Sequence, residues 1–132
     1  MEREGVLNMT QDYISYIRSK VGHDKVILTF AGGILTDKDG RVLLQLRGDK
    51  KTWAIPGGTM ELGESTLDTA KREFFEETGI KVQATRFLNV YSNFEEVYPN
   101  GDKVQTVVFI YELAAVSPVN ISDFHNEETL RL

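Results

Sequence analysis

The stretch of sequence that decides the fold is residues 57–80, which read GGTMELGESTLDTAKREFFEETGI. Ser65 and Asp68 have the spacing of a capping box, in which each side chain accepts a hydrogen bond from a backbone N–H at the start of a helix. Gly79 favours the left-handed conformation that ends a helix. The stretch therefore predicts a glycine loop that leads into a helix from about Thr66 to the residue before Gly79.

This helix has an apolar side and an acidic side. At about 100° per residue, the apolar side takes Leu67, Ala70, Phe74 and Phe75, and the neighbouring arc takes Glu73, Glu76 and Glu77. Like charges at these spacings repel by a few tenths of a kcal/mol per pair, and the late part of a helix favours cations instead. Hard divalent cations remove this conflict because they prefer carboxylate oxygens. The cluster predicts a Mg²⁺ or Mn²⁺ site, and the alternative is a solvated charged face.

The residues before the helix favour the metal-site interpretation. Pro56 and the two glycines after it predict a rigid turn whose backbone can approach an ion or a phosphate closely. Arg72 lies between the apolar and acidic sides, and a charge-assisted hydrogen bond to Glu64 would tie the loop to the helix. Such a tie would hold the metal ligands in fixed relative positions.

The whole pattern resembles the signature of the Nudix hydrolase family. Its fixed positions are Gly58, Glu64, Arg72, Glu73, Phe74, Glu76, Glu77, Gly79 and Ile80, and residues 40–44 and 53–56 extend the likeness. The resemblance implies an α/β/α sandwich with a mixed sheet and the signature helix beside it. It also implies that Mg²⁺ or Mn²⁺ is bound by the Gly58 carbonyl and by the side chains of Glu73, Glu76 and Glu77, with Arg72 and Glu64 in support.

Composition limits the class of protein. The 132 residues suit one domain spanning 1–132, with residues 1–8 expected to form a flexible tail. The absence of cysteine excludes disulfides and cysteine-based zinc sites, and the net charge of −5 argues against a nucleic-acid partner. No apolar run approaches the length of a membrane span, so we expect a cytoplasmic protein without a membrane partner.

Flanking patterns predict the remaining elements. A short helix is expected from Thr10 to Lys20, with Thr10 as its cap and Gly22 as its end. The turn at residues 37–40 predicts a hairpin between strands at 26–35 and 41–47, and further strands are expected at 82–91 and 104–113 with a long loop between them.

Several residues outside the signature are candidates for substrate binding. Arg47, Lys50 and Lys51 lie in or beside a basic loop and are suited to a phosphate, although lysines in such loops are usually solvated. Trp53 either stacks on a base or anchors the core. Tyr98 lies in the long loop, where substrate selection often resides.

The C-terminal residues read as a strand that is just starting. In the resembling family a further helix covers the sheet, and this chain stops before such a helix. Either the sequence is shortened, or the sheet is closed by the N-terminal helix or by a second copy in a homodimer. Family members often place one more acid outside the signature, and Glu128, or else Glu127, lies where that pattern would put it.

The function implied by the resemblance is Mg²⁺-dependent hydrolysis of a phosphoanhydride in a nucleoside diphosphate linked to another moiety, of the ADP-ribose or nucleotide-sugar type. Glu76, Glu73, Arg72 and Glu128 are the candidate catalytic residues, with Glu76 or Glu128 as the base. In the resembling family, a proline at about this distance beyond the signature tends to accompany ADP-ribose-type substrates, and a tyrosine tends to accompany dinucleoside polyphosphates. Tyr98 and Pro99 are adjacent here, so both substrate classes stay open. The alternatives are a pyrophosphohydrolase of nucleoside triphosphates or dinucleoside polyphosphates and a non-catalytic nucleotide-binding sensor.

Overall fold

The computed structural model describes residues 12–49, 51–119 and 129–131. These residues form two helices and seven strands, in the order α1 (Tyr13–Val21), β1 (Val26–Leu35), β2 (Gln45–Arg47), β3 (Trp53–Ala54), β4 (Gly57–Thr59), α2 (Thr66–Thr78), β5 (Val82–Val97), β6 (Lys103–Ala115) and β7 (Thr129–Arg131).

The strands form a four-stranded sheet in the order β4-β1-β6-β5 and a three-stranded sheet in the order β3-β2-β7. In the larger sheet β1 runs parallel to β6, from Val26 opposite Val104 to Leu35 opposite Leu113. The pairs β1–β4 and β5–β6 are antiparallel. The predicted α/β class with a mixed sheet is therefore confirmed.

The predicted limits of α2 are confirmed, and both depend on local hydrogen bonds. The Ser65 hydroxyl accepts from the Asp68 N–H at 3.0 Å, and the Ser65 N–H donates to Asp68 Oδ2 at 3.1 Å. Gly79 has φ of 76° and donates its N–H to the Phe75 carbonyl at 2.8 Å. The positive φ is unfavourable for other residues, so the glycine fixes the end of the helix.

One side of α2 packs on the larger sheet. Phe74 is fully buried and joins a core cluster of Leu35, Ile80, Val82 and Leu113. The prediction that Phe75 is buried beside it was wrong, because the Phe75 side chain is 46% exposed. Phe75 lies about 140° around the helix from buried Ala70, whereas Phe74 lies only about 40° away.

The first helix is shifted from its predicted position. It begins at Tyr13, and its cap is Asp12, whose Oδ1 accepts from the Ser15 N–H at 2.8 Å. The predicted cap Thr10 and the predicted flexible tail at residues 1–8 lie outside the described residues. The predicted end is confirmed, since Gly22 has φ of 63° and donates to the Arg18 carbonyl at 2.8 Å.

The predicted hairpin between β1 and residues 41–47 forms only at its turn. Gly40 donates to the Asp37 carbonyl at 3.0 Å, and Thr36 pairs with Val42 in a single bridge. Beyond that bridge the chain diverges, because both edges of β1 are already occupied by β4 and β6. Residues 45–47 pair with β3 and β7 instead.

The long loop predicted between the strands at 82–91 and 104–113 was wrong. Strand β5 continues to Val97 and β6 begins at Lys103, so the connection spans only residues 98–102. The register between β5 and β6 shifts at three places, and these irregularities keep the long strand paired. Glu95 and Glu96, predicted in a loop, lie on β5.

The strand predicted at the C-terminus is confirmed as β7, which pairs with β2. Glu127 and Glu128 lie outside the described residues. Within the described part of the chain, no helix has the length and apolar character needed to cross a membrane.

Truncation of Phe74 tests the assignment of the core. We expect Phe74→Ala to lower the free energy of unfolding by about 3–5 kcal/mol, because it leaves a cavity in a closed cluster. Phe75→Ala is the matched control, since it removes the same atoms from a half-exposed neighbouring position. Urea denaturation measures both variants, and similar losses for the two would contradict the packing of α2.

Candidate active site

Strand β4 and helix α2 approach each other at Gly58. A Cβ atom added to Gly58 would lie 2.3 Å from the carboxyl carbon of Glu73 and 2.5 Å from both of its oxygens. The neighbouring Gly57 N–H donates to Glu77 Oε1 at 2.8 Å. The glycines are therefore needed for a close contact between a backbone strand and two carboxyl groups.

Arg72 joins the loop before α2 to the helix itself. Its Nε donates to Glu64 Oε2 at 2.6 Å and its Nη2 to Glu64 Oε1 at 3.0 Å, which is a bidentate pair. Nη2 also donates to the Thr59 carbonyl at 3.1 Å. The predicted tie between Arg72 and Glu64 is present.

Hydrogen bonding stabilises the charged form of both partners. The bonds to Glu64 raise the pKa of Arg72 above its usual range. Burial alone would raise the pKa of Glu64, but the hydrogen bonds from Arg72, the Glu61 N–H and Thr69 outweigh it and hold that pKa low. The pair therefore remains ionised at neutral pH.

The support for Glu64 includes a residue that the sequence analysis missed. Thr69 is fully buried and donates its hydroxyl to Glu64 Oε1 at 2.8 Å. The Glu61 N–H donates to the same oxygen at 3.0 Å. Thr69 and Arg72 are three residues apart on one helix face, so their spacing was a usable signal.

Glu73 and Glu77 form a buried pair of carboxyl groups. Glu77 is only 4% exposed, and burial together with the neighbouring Glu73 raises the pKa of Glu77 to about 9. Burial also raises the pKa of Glu73, against the opposing effects of its hydrogen bond with Glu77 and the charge of Arg72. Without a cation, Glu77 keeps its proton at neutral pH.

Glu76 lies in a different environment from Glu77, although the two are adjacent in sequence. Its side chain is 49% exposed and accepts from Arg72 Nη1 at 3.2 Å. The same nitrogen donates to Glu73 Oε2 at 2.9 Å. Arg72 thus separates the predicted ligands, and among residues 12–49, 51–119 and 129–131 no group of three or more acidic, histidine or cysteine side chains is arranged to hold a metal ion.

The predicted substrate-binding residues lie in three places. Tyr98 lines a cavity of about 280 Å³ together with Pro56, Gly57, Gly58 and Glu96. Trp53 lines a separate, larger groove and is 48% exposed, which contradicts the alternative that it anchors the core. Arg47 bonds Asp49 through two nitrogens, and its charge opposes the rise in the pKa of Glu77.

The two candidate loop lysines and the additional acids are only partly described. Lys51 donates to the Gly48 carbonyl at 3.2 Å, within its own loop. Lys50, Glu127 and Glu128 lie outside the described residues. The structure therefore brings Gly58, the signature acids and Tyr98 to adjoining surfaces and leaves Trp53 elsewhere.

Substitution of Gly58 tests the close contact with Glu73. We expect Gly58→Ala to lower the melting temperature, because the new methyl group would overlap the Glu73 carboxyl group. In a Glu73→Ala background the same substitution should cost much less, since the overlapping group is gone. Thermal unfolding of the four proteins measures the coupling, and additive effects would contradict the contact.

Substitution of Glu77 tests its buried, protonated state. In a chelating buffer Glu77→Gln should raise the melting temperature, because a neutral amide still accepts from the Gly57 N–H without needing a proton. The folded-state pKa of about 9 lies above the ordinary value of 4.5, so Glu77 contributes fully to stability below the lower value and loses that contribution as pH rises. The advantage of the variant should therefore grow from about pH 5 to about pH 9.

Glu76→Gln is the control for this pH series, because it makes the same chemical change at an exposed neighbouring position. The difference in melting temperature between Glu76→Gln and the unaltered protein should not increase as the pH rises. A Glu77→Gln difference that stays constant across the series would show that the carboxyl group is not held protonated.

Comparison with known proteins identifies relatives in one family. A family model described as the NUDIX domain matches residues 29–131. Over 104 residues the chain is 32% identical to an ADP-ribose pyrophosphatase of Methanocaldococcus jannaschii, an alignment that covers 76% of this chain and 55% of the relative. Over 61 residues it is 43% identical to a MutT-like protein of Streptomyces ambofaciens, covering 46% of this chain and 40% of the relative.

The fold also resembles that of a solved structure from this family. A NUDIX hydrolase from Nitrosomonas europaea superposes with a TM-score of 0.61 at 25% identity, covering 79% of this chain and 54% of that one. The chain spans about half the length of the curated relatives it matches. Because the family model covers most of the chain, including β4, α2 and the glutamates between which Arg72 lies, the protein belongs to the Nudix family.

Proposed function

We propose that this protein hydrolyses a phosphoanhydride bond in a nucleoside diphosphate linked to another moiety, with Mg²⁺ or Mn²⁺ as the cofactor. The observation that carries the proposal is the buried Glu73–Glu77 pair against the glycine strand β4, which is held in place by Arg72 and Glu64. Burying two carboxyl groups side by side is unfavourable for stability alone, and sites with such perturbed carboxyl groups are frequently functional. The relative named an ADP-ribose pyrophosphatase supports this substrate class.

The residues present fit a hard divalent cation. Carboxylate oxygens of Glu73 and Glu77 and the backbone carbonyl of Gly58 are oxygen donors within one small region, because Gly58 has no side chain and the Glu73 carboxyl group lies directly against it. A bound cation would neutralise negative charge on the phosphoryl oxygens of the substrate. The resemblance also makes Glu76 a metal ligand, but it would have to leave its contact with Arg72 to join Glu73 and Glu77, and the proposal gives it the role of base instead.

Arg72 has a positioning role in this proposal. Three of its five hydrogen bonds go to Glu64 and the Thr59 carbonyl, and they are independent of the contacts to Glu73 and Glu76. The guanidinium group can therefore release the acids and keep the loop fixed. The cation would then balance the negative charge of Glu73 and Glu76 that Arg72 no longer contacts.

Glu76 is the proposed base. It is the most exposed of the three acids, so it can reach water at the mouth of the site while Glu73 and Glu77 stay buried. It would orient the attacking water and accept its proton. Glu128 is the rival base proposed from the sequence pattern.

The cavity lined by Tyr98 is the proposed site for the base of the nucleotide. It adjoins Gly57 and Gly58, so a base bound there would place its phosphates toward the acidic pair. Its other walls include Phe30, Ile55, Val108 and Ile110, which suit a planar apolar ring. Tyr98 lines this cavity, whereas Pro99 is exposed. This placement supports the dinucleoside polyphosphates, which the resemblance links to a tyrosine, as the second candidate.

A pyrophosphohydrolase of nucleoside triphosphates or dinucleoside polyphosphates is the second candidate, supported by the MutT-like relative. Purified protein with Mg²⁺ or Mn²⁺ should be assayed against ADP-ribose, nucleotide sugars, nucleoside triphosphates and dinucleoside polyphosphates. We expect ADP-ribose or a nucleotide sugar to give the highest kcat/KM. Turnover of none of these, with nucleotide binding retained, would support a non-catalytic sensor.

Substitution of Glu76 tests its role as the base. Glu76→Gln should lower kcat by a factor of about 10²–10⁴, the usual contribution of a general base, with little change in KM. Glu95→Gln is the matched control, because Glu95 is an exposed acid paired with Lys25 on β5. Near-normal turnover by Glu76→Gln would reject the assignment and favour the rival base.

A further inference from the structure

Helix α1 contacts the two segments that flank the candidate site. It covers Tyr13–Val21, outside the residues that the family model matches, and none of its residues is fully buried. Hydrogen bonds attach its two ends to the rest of the domain. We propose that α1 is a strap that holds the loop carrying Glu64 and the turn carrying Tyr98 in fixed relative positions, with Glu61 and Arg18 as its positioning residues.

The first end of the strap reaches the loop before α2. The Tyr13 N–H, in the first turn of α1, donates to Glu61 Oε1 at 2.8 Å. Asp12 caps this end of the helix, and Glu61 places a second carboxylate there, which a helix N-terminus favours. The Glu61 N–H in turn donates to Glu64 Oε1 at 3.0 Å. One residue thus connects α1 to the carboxylate that holds Arg72.

The second end of the strap reaches the turn between β5 and β6. Arg18 donates to the Asp24 carbonyl at 2.6 Å and to the Lys103 carbonyl at 2.7 Å, and its Nε lies 3.6 Å from Asp102. The Arg18 side chain is only 13% exposed, so it is held against the surface of the domain. His23 also contacts Asp102, at 2.6 Å.

The turn held by Arg18 carries Tyr98. The Tyr98 N–H donates to the Asp102 carbonyl, and the Gly101 N–H donates to the Tyr98 carbonyl, both at 2.9 Å. Displacement of Asp102 would therefore move the backbone of Tyr98. Because Tyr98 lines the cavity beside Gly57 and Gly58, such a movement would change the shape of that cavity.

The two ends have different expected effects, and this inference rests on the proposed function. Release of Glu61 would loosen Glu64 and Arg72 and so act on cation binding. Release of Arg18 would loosen the Tyr98 turn and so act on substrate binding. A helix that only stabilised the fold would not separate these effects.

The test at the first end compares Glu61→Ala with Glu61→Gln. Glutamine keeps a side-chain oxygen that can accept from the Tyr13 N–H, whereas alanine does not. We expect Glu61→Ala to weaken Mn²⁺ binding in calorimetry roughly tenfold, the usual cost of losing an outer support of a metal site. Glu61→Gln should bind Mn²⁺ as the unaltered protein does. If Glu61→Ala does not fold, Glu61→Met replaces it, because methionine keeps the length of the side chain without the oxygen.

The test at the second end uses Arg18→Lys, which keeps the charge and loses the planar group that reaches several carbonyls. We expect KM to rise several-fold with kcat nearly unchanged and with unchanged Mn²⁺ affinity. Ser19→Ala is the control, because Ser19 is an exposed residue of α1 whose hydroxyl bonds only its own helix, at the Tyr16 carbonyl. It should match the unaltered protein in every measurement.

The outcomes separate the strap from the proposed function. An unaltered protein that neither binds Mn²⁺ nor hydrolyses any substrate of the panel overturns the function. An unaltered protein that does both, with Glu61→Ala and Arg18→Lys equal to it, overturns the strap alone. Equal losses in Glu61→Ala and Glu61→Gln also overturn it, because the hydrogen bond to Tyr13 would then not be the cause.

Discussion

The bidentate ion pair between Arg72 and Glu64 is the constraint on which the candidate site depends. It joins the loop after β4 to α2, and through Thr59 it also fixes the end of β4. Removing one partner of a buried pair costs about 3–5 kcal/mol, and less is expected here because the Arg72 side chain is 28% exposed. The significance of the pair is therefore geometric, since it sets where Glu73 and Glu77 stand relative to Gly58.

The same arrangement explains how an acidic cluster persists in a folded protein. Three glutamates within five residues would repel one another if all were ionised and close together. The fold avoids this in two ways, because Arg72 lies between Glu73 and Glu76 and because burial keeps a proton on Glu77. The guanidinium group of Arg72 and the proton on Glu77 thus each offset negative charge of the cluster. Under the proposed function, a bound cation would replace the proton on Glu77 and the contacts of Arg72 to Glu73 and Glu76.

Local interactions determined which parts of the fold were predictable. The limits of α2 depend on Ser65, Asp68 and Gly79, which act within a few residues of the helix, and the sequence identified all three. The tie between Arg72 and Glu64 was predicted from the place of Glu64 at the end of the loop and of Arg72 between the two sides of the helix, although Asp68, Glu73 and Glu76 are closer along the chain. The sequence predicted that Glu73, Glu76 and Glu77 lie on one side of α2, but it did not predict which of them is buried. That depends on the position of β4, which contacts Glu73 and Glu77.

Long-range pairing determined what could not be predicted. The hairpin after β1 stops after one bridge because the next position on that edge is already taken, since the Gly33 N–H donates to the carbonyl of Pro56, just before β4. The length of β5 has no sequence periodicity that marks where the strand ends. The contact between Tyr13 and Glu61 joins residues 48 positions apart through a backbone N–H, which has no side-chain signature at all.

Glu76 and Glu77 show how the fold assigns different chemistry to adjacent, identical side chains. A helix turns about 100° between them, which points Glu77 at the Gly57 N–H and Glu76 at solvent. Burial favours the neutral form of one, while the other remains exposed beside Arg72. A ligand for a buried cation needs a buried environment such as that of Glu77, because there the cation compensates the carboxylate for the water it has lost. A group that exchanges protons with water needs an exposed environment such as that of Glu76. The strand β4, rather than the helix that carries both residues, therefore decides which role each of them can take.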